Sequence, residues 1–273
     1  MTDVPSLAMD VVIPSQREPR SRSDDRQTAQ LSEFAPRVDT RICVVSRLGL
    51  VPYLSTWELQ RRLASARRES HDVDRLLLVE HPHSYTLGRR GRHEDVLITP
   101  EEQRRLDVRV YETDRGGEVT YHGPGQLVAY PILKLEGPQR DVRQYMRNLE
   151  EVIMLTLSTF GITGSRITGL TGVWVGDDKV AAVGARIASW VTTHGFALNV
   201  NTDLTYFSHI IPCGIKDRGV TSVARLVGHP LDMLAVEDSV IAAFGTVFKM
   251  AMKDVATDAT LDHERPVAVE REA

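Results

Sequence analysis

Two cysteines in 273 residues are too few for a disulfide framework. The fold must therefore be held by its core, and each thiol is judged on its own surroundings. No apolar run approaches the ~20 residues that span a bilayer. The first thirty-odd residues lack the apolar stretch that a secretory signal needs. Lysine is scarce too: five of the 33 basic residues, the rest being arginine. A net charge of -4 leaves no basic footprint for nucleic acid. These absences point to a cytoplasmic chain with free thiols, no membrane span and no nucleic-acid partner.

With 42% hydrophobic and 26% charged residues, the composition is that of a globular enzyme, and the length allows one large core or two small ones. Residues 1–38 are polar and aperiodic. Ser and Arg are dense between Gln16 and Arg26, as in a transit peptide, but Asp3, Asp10, Asp24 and Asp25 are acids that such peptides avoid. A disordered extension is expected there, one domain over residues 39–252, and a flexible tail over 253–273.

Within that domain Arg41 to Leu48 reads as a strand. A helix is expected from Ser55, which has capping-box spacing to Glu58. Leu76 to Val79 is a short apolar run of buried-strand type. Thr99 and Glu102 repeat the capping signature, with Pro100 at the first helical position. Strand residues and Gly/Pro turns alternate from Val119 to Leu133. The longest helix is expected from Asp141, with Val142, Tyr145, Met146, Leu149, Val152 and Ile153 on one stripe and Gly161 beyond its end. Strands are expected at Gly172–Val175, Val180–Ile187 and Phe196–Val200, and a last helix from Asp232 buries Val236, Val240, Ile241, Phe244 and Val247. Clustered strands with helices outside them indicate one α/β (α+β) domain of mixed sheets.

Backbone approaches a ligand closely only where side chains are missing, so the three Gly-rich loops are the candidate site: Arg115 to Gln126, Asp177 to Arg186, and Ile211 to Ile215. Cys43 lies in an apolar run and reads as a core residue. Cys213 lies between Pro212 and Gly214, which favour an exposed tight turn whose amides can face an oxyanion. It is either a nucleophile or a turn cysteine. Lys179 precedes the apolar run Val180 to Val183. Lysine, unlike arginine, exchanges its proton readily when buried; beside a thiol it favours thiolate, and once neutral it can act as a base. The plainer alternative is a solvated lysine in the Gly176–Lys179 hairpin. His122 reads as an acid-base group, an orienter or a structural residue. His81 and His83, with His71 and His93 near them in sequence, invite a metal reading that no metal-binding frame accompanies. The basic run Gly88 to Arg92 can meet a phosphate or an acidic partner, or can simply be solvated.

In their order, these segments resemble the lipoyl(octanoyl) transferases. The resemblance runs from about Arg41 to Met250. It is carried by Glu80 to Pro82, Tyr85 to Gly91, Arg115 to Gly117, Thr120 to Leu127, Lys179 to Gly184, His194 to Asn199, and Pro212 to Ile215. It implies a fold shared with biotin and lipoate ligases and a Cys213 thioester, with Lys179 lowering the pKa of that thiol. It further implies an acyl chain lying against Arg115, Gly116, Gly117, Glu118, Val119, Thr120, Tyr121 and His122, against Ala182, Val183 and Gly184, and against Gly195, Phe196 and Ala197. No metal and no other cofactor is implied. The implied donor is octanoyl-acyl carrier protein. The implied acceptors are apo lipoyl domains of 2-oxoacid dehydrogenase E2 subunits and the glycine cleavage H protein. His83 and Ser84 stand where the family more usually has small or apolar residues. The rival readings are an ATP-dependent lipoate or biotin ligase, which has no need of Cys213, and a non-catalytic module that binds acyl groups without turnover.

Overall fold

Asp74–Glu80 carries four consecutive apolar residues, Leu76 to Val79, and such a strand needs cover on both faces. The protein, described by a computed structural model over residues 41–69, 72–211 and 218–255, provides that cover with helices on either side of one large sheet. In chain order the elements are β1 (Ile42–Leu50), α1 (Tyr53–Arg68), β2 (Asp74–Glu80), β3 (Ser84–Leu87), α2 (Pro100–Arg105), β4 (Arg109–Glu112), β5 (Val119–His122) and β6 (Gln126–Ile132). They continue as α3 (Val142–Thr159), β7 (Ser165–Ile167), β8 (Leu170–Val175), β9 (Asp178–Ala188), β10 (Val191–Asn199), α4 (Val223–Val227), α5 (Met233–Phe248) and β11 (Ala251–Asp254).

Eight strands form the large sheet in the order β11-β1-β2-β6-β10-β9-β8-β7, and β4-β3-β5 form a small one. Only β11–β1, β1–β2 and β3–β4 pair in parallel, so the class is mixed α/β, as expected. The main core lies between one face of the large sheet and α3 with α5, where Leu149, Val152 and Ile153 meet Leu76, Leu78, Leu127 and Phe244. On the other face α1 covers Leu77, Val79, Val128 and Ile132 with Leu63 and Ala64. No helix among the described residues is long and apolar enough to cross a membrane.

Local signals account for most element ends. Thr99 and Glu102 cap α2 reciprocally, and Asp141 accepts from the Gln144 amide to start α3, which Gly161 follows at φ +73°. Ser55 does not cap α1. That helix starts two residues earlier, behind Pro52, with no side-chain cap. Val142, placed on the buried stripe of α3 by its spacing, is 52% exposed at the first position of the helix. Residues 253–254, expected in the tail, complete β11 and pair with Val44 and Val45. Cys43 is buried in β1, as its apolar neighbours require, and burial pushes its thiol pKa up. The N-terminal extension and the remainder of the tail lie outside the described residues.

The large and small sheets meet through a layer of buried rings. Tyr53 stacks on His122 at 5.7 Å between centroids; His81 sits edge-on to His122 at 5.8 Å and reaches Tyr130 at 5.9 Å. Burial disfavours the imidazolium of each histidine in or beside this layer. It takes His81 down to about 4, His122 well below its ordinary value with His81 and Arg115 adding to the effect, and His194 down against the opposing pull of Asp114. These groups are protonated more readily unfolded, at about 6.5, than folded, so stability is full above that pH and falls as pH drops towards their folded values. Urea denaturation between pH 7.5 and 5.0 should show the decline. His81→Leu should remove on the order of 2 kcal/mol of it by pH 5, and a variant with the wild-type pH dependence would show that His81 does not titrate this way.

Candidate functional site

Between the ring layer, the small sheet and the β9–β10 ribbon lies a cavity of about 420 Å³, within the range of small-molecule sites. It brings Lys179, the Arg115–Thr120 loop and strand, His122, Ala182–Gly184 and Gly195–Ala197 to one place. Tyr121 is not part of the wall. Successive residues of β5 alternate faces, and Tyr121 packs with Tyr85 and Phe207 behind the small sheet, its hydroxyl 2.8 Å from His83 Nδ1. Val119 lines the cavity and also belongs to that cluster. Cys213 and the rest of residues 212–217 lie outside the described residues; Arg218, Gly219 and Val220, which follow them, line the same cavity.

The Arg115 guanidinium is buried and turned onto backbone. It donates to Thr86 O at 2.7 Å, to Glu118 O at 2.7 Å, to Gly116 O at 3.0 Å and to Thr86 Oγ1. The Gly88–Gly91 turn is laced to the same loop, Gly88 N donating to Glu118 O and Arg90 N to Gly117 O. A Cβ on Gly88 would come within 2.5 Å of Gly117 O. Arg90 leaves this turn to the cavity rim, 3.5 Å from Glu118 and largely exposed. Thus Arg90 brings the basic run to the cavity rim, and Arg115 shapes the wall beside Gly184.

β9 and β10 form the floor. Ala182 pairs with Ala197, Val183 with Phe196 and Gly184 with Gly195. Paired residues share a face, so the two alanines and two glycines form one face, while Phe196 and Val183 lie towards the main core and still reach the cavity. The glycines are also required by the protein itself. A Cβ on Gly184 would meet Gly116 O at 3.0 Å, and one on Gly195 would meet Ala129 O at 2.2 Å. Gly116 N donates to Ala185 O, tying the loop to the floor.

Lys179 is the second residue of β9, just after the turn at Gly176, and it is half-buried rather than a solvated hairpin residue. Its backbone is held by Gly219 O and Thr221 N, both at 3.0 Å. Nζ lies 4.8 Å from the Trp174 ring centroid, a cation–π contact, and no described residue forms an ion pair with it. Gly172, at φ +120°, leaves room for its Cε. Sequence reasoning missed Trp174; the signal was a large aromatic in the strand that pairs with the Lys179 strand.

His122 donates from Nδ1 to Gln126 Oε1 at 2.8 Å, while the Gln126 amide group donates to Asn199 Oδ1 at 2.9 Å. The Asn199 amide group in turn donates to Thr221 O. His122 is thus a neutral, fixed element of the wall. His194, held at φ +55°, lies 2.8 Å from Asp114, whose carboxyl is held low first by that hydrogen bond. The ring nitrogens of His81 are engaged by Val51 O and Tyr130 Oη. No group of three or more His, Cys, Asp or Glu among the described residues is arranged to hold a metal ion.

The family model described as the lipoyl protein ligase A/B catalytic domain matches residues 52–245. The octanoyltransferase of Chloroflexus aggregans is 50% identical over 213 residues, covering 77% of this chain and 96% of its own length. That of Caldicellulosiruptor bescii is 46% identical, covering 81% and 98%. Among solved structures, a lipoate-protein ligase A bound with ATP superposes with a TM-score of 0.63 at 15% identity, covering 82% of this chain and 92% of its own. The bipartite lipoate protein ligase of Thermoplasma acidophilum gives 0.63 at 16%, covering 82% and 89%. At those identities the structures establish a common fold, while the relatives in sequence establish the branch. The chain belongs to the octanoyltransferases of the lipoyl protein ligase A/B family, acyltransferases that act in protein lipoylation.

Proposed function

We propose that the protein takes an octanoyl group from octanoyl-acyl carrier protein onto Cys213 and passes it to a lysine of an apo lipoyl domain. The acceptors are the E2 subunits of 2-oxoacid dehydrogenases and the glycine cleavage H protein. The observation that carries this reading is Lys179, the one lysine among the described residues that line the cavity, its backbone bonded to Gly219 and Thr221, which follow Cys213 closely in sequence.

The Cys213 thiolate attacks the donor thioester carbon. The tetrahedral intermediate collapses with loss of the carrier thiolate, which takes up a proton, and a new thioester remains on Cys213. The acceptor lysine, free pKa ~10.4, must lose a proton to attack; its nitrogen forms the amide and the Cys213 sulfur leaves. Lys179 acts in both steps through charge and proton exchange. As a cation it favours the thiolate, and as a neutral amine it accepts the proton lost by the acceptor. One thioester replaces another, so no nucleotide is consumed. The alanine and glycine floor admits a slender saturated chain, each buried methylene contributing ~0.8 kcal/mol.

Mixing the purified chain with octanoyl-acyl carrier protein, without ATP, should add one octanoyl group by intact mass. The group should map to Cys213 and discharge onto an apo lipoyl domain. Cys43→Ser should keep the adduct, because Cys43 is buried away from solvent, whereas Cys213→Ala should lose it. Acylation only with ATP and free octanoate, indifferent to Cys213→Ala, would instead mean a ligase.

Lys179→Ala should slow transfer by about a hundredfold or more and move the iodoacetamide alkylation midpoint of Cys213 up towards the ~8.5 of a free thiol. Lys179→Arg should retain the alkylation profile but not the transfer rate, since a guanidinium supplies charge without proton exchange. An alkylation profile that ignores both substitutions would remove Lys179 from the thiol's surroundings.

A further inference from the structure

Tyr130 and His81 lie at the cavity end away from Lys179, and the proposed chemistry leaves both unused. From Lys179 along β9, the first row of the floor is Ala182 with Ala197, the latter paired to Val128 of β6. The next is Gly184 with Gly195, where Ala129 O and Pro131 Cδ close to within 2.6 Å of any Cβ on Gly195. Tyr130, between those two residues of β6, lines the cavity at that row. Five residues of strand separate it from Lys179, about 16 Å at ~3.3 Å per residue.

The Tyr130 ring is braced from behind. It is 3% exposed and packs in the cluster that contains Leu63, Ala64, Leu77 and Ile132. Its hydroxyl lies 2.8 Å from His81 Nε2, and His81 Nδ1 lies 2.7 Å from Val51 O. A carbonyl only accepts, so the ring proton of neutral His81 sits on Nδ1. Nε2 is left as the acceptor, and Tyr130 donates to it. The hydroxyl is therefore satisfied outside the cavity, and the ring turns an apolar surface inward. His83, next but one in the motif, belongs to the separate ring stack with Tyr121 and Tyr206.

The geometry points to Tyr130, pinned by His81, as the residue that sets the length of acyl chain the cavity accepts; this rests on the acyl-transfer reading above. An extended octanoyl chain is about 9 Å from carbonyl carbon to methyl at ordinary bond lengths and angles. From a carbonyl within reach of the Lys179 side chain it ends at the Tyr130 row. A dodecanoyl chain, about 14 Å on the same basis, overruns that row and must displace a braced ring. Each methylene that still finds room improves binding about fourfold, so the preference should rise to the ring and then break.

The test compares octanoyl, decanoyl and dodecanoyl carrier-protein donors with wild type, Tyr130→Leu, Tyr130→Phe and His81→Ala. Thermal stabilisation by the three free acids is measured in parallel. Wild type should fall at least tenfold from octanoyl to dodecanoyl. Tyr130→Leu should raise the dodecanoyl-to-octanoyl ratio at least tenfold. His81→Ala, which empties the space behind the ring and frees it to tilt, should raise it several-fold, and Tyr130→Phe, which loses the hydrogen bond but keeps the ring and its packing, should raise it by less. If Tyr130→Leu does not fold, His81→Ala carries the comparison. Transfer with the wild-type length profile in either variant overturns the assignment. A protein that transfers no acyl group refutes the transfer reading instead; the free-acid series then decides on Tyr130 alone, a shifted cut-off supporting it and an unshifted one overturning it.

Discussion

A guanidinium buried among backbone carbonyls fixes one wall of this protein's cavity. Arg115 reaches Thr86, Gly116 and Glu118, so a single side chain joins β3 to the loop that precedes β5. Charge-assisted hydrogen bonds are about twice as strong as neutral ones, and loop carbonyls buried without partners would each be costly. Removing the guanidinium would therefore release several carbonyls together. The Gly88–Gly91 turn depends on the same arrangement, since its amides donate to the carbonyls of that loop. The small sheet has its own cluster around Tyr85, Leu87, Val119 and Tyr121, and the Gly116 amide, donating to Ala185 O, ties the clasped loop to β9.

That clasp changes the meaning of the glycines. A glycine-rich loop near a candidate site suggests room for a ligand, and Ala182 and Ala197 fit that reading. Gly184 and Gly195 are demanded first by protein backbone, Gly116 O in one case and Ala129 O in the other. The cavity is bounded by close backbone approaches, which are stiffer than side-chain contacts. A wall built this way suits the two successive transfers proposed above, because it would keep its shape between them.

Much of this was legible in the sequence because it followed local rules. The Thr99 capping box, the Asp141 cap and the stripe of α3 are short-range patterns, and the motifs around Arg115, Lys179 and Gly195 converge on one cavity. What stayed hidden depended on partners distant in the chain. β10, expected from Phe196, begins five residues earlier at Val191, and Val191, Thr192, Thr193 and His194 are all buried. Thr192 donates to Pro131 O and accepts from Leu133 N, satisfying its hydroxyl across the strand pair. Tyr121 shares a motif with cavity residues but alternates to the far face of β5. Trp174 matters through Lys179, and no spacing rule announces a cation–π contact between paired strands. The partners of His81, Val51 O and Tyr130 Oη, are 30 and 49 residues away and no motif announced them.

The fold is common to ligases and transferases, and the division of labour within the site explains how. An enclosed apolar cavity is useful to any enzyme that must hold a medium-length acyl chain, whatever activates the carboxyl carbon. Activation happens at the mouth, where a few side chains suffice to change the chemistry. Here Lys179 lines the cavity from near the start of β9, with its backbone fixed by Gly219 and Thr221 and its Nζ beside Trp174. A ring face stabilises the ammonium without supplying a carboxylate that would hold its proton permanently. The proposed transfer would use the charge of this lysine in one step and its proton exchange in the next, and an arginine at the same place could supply only the first.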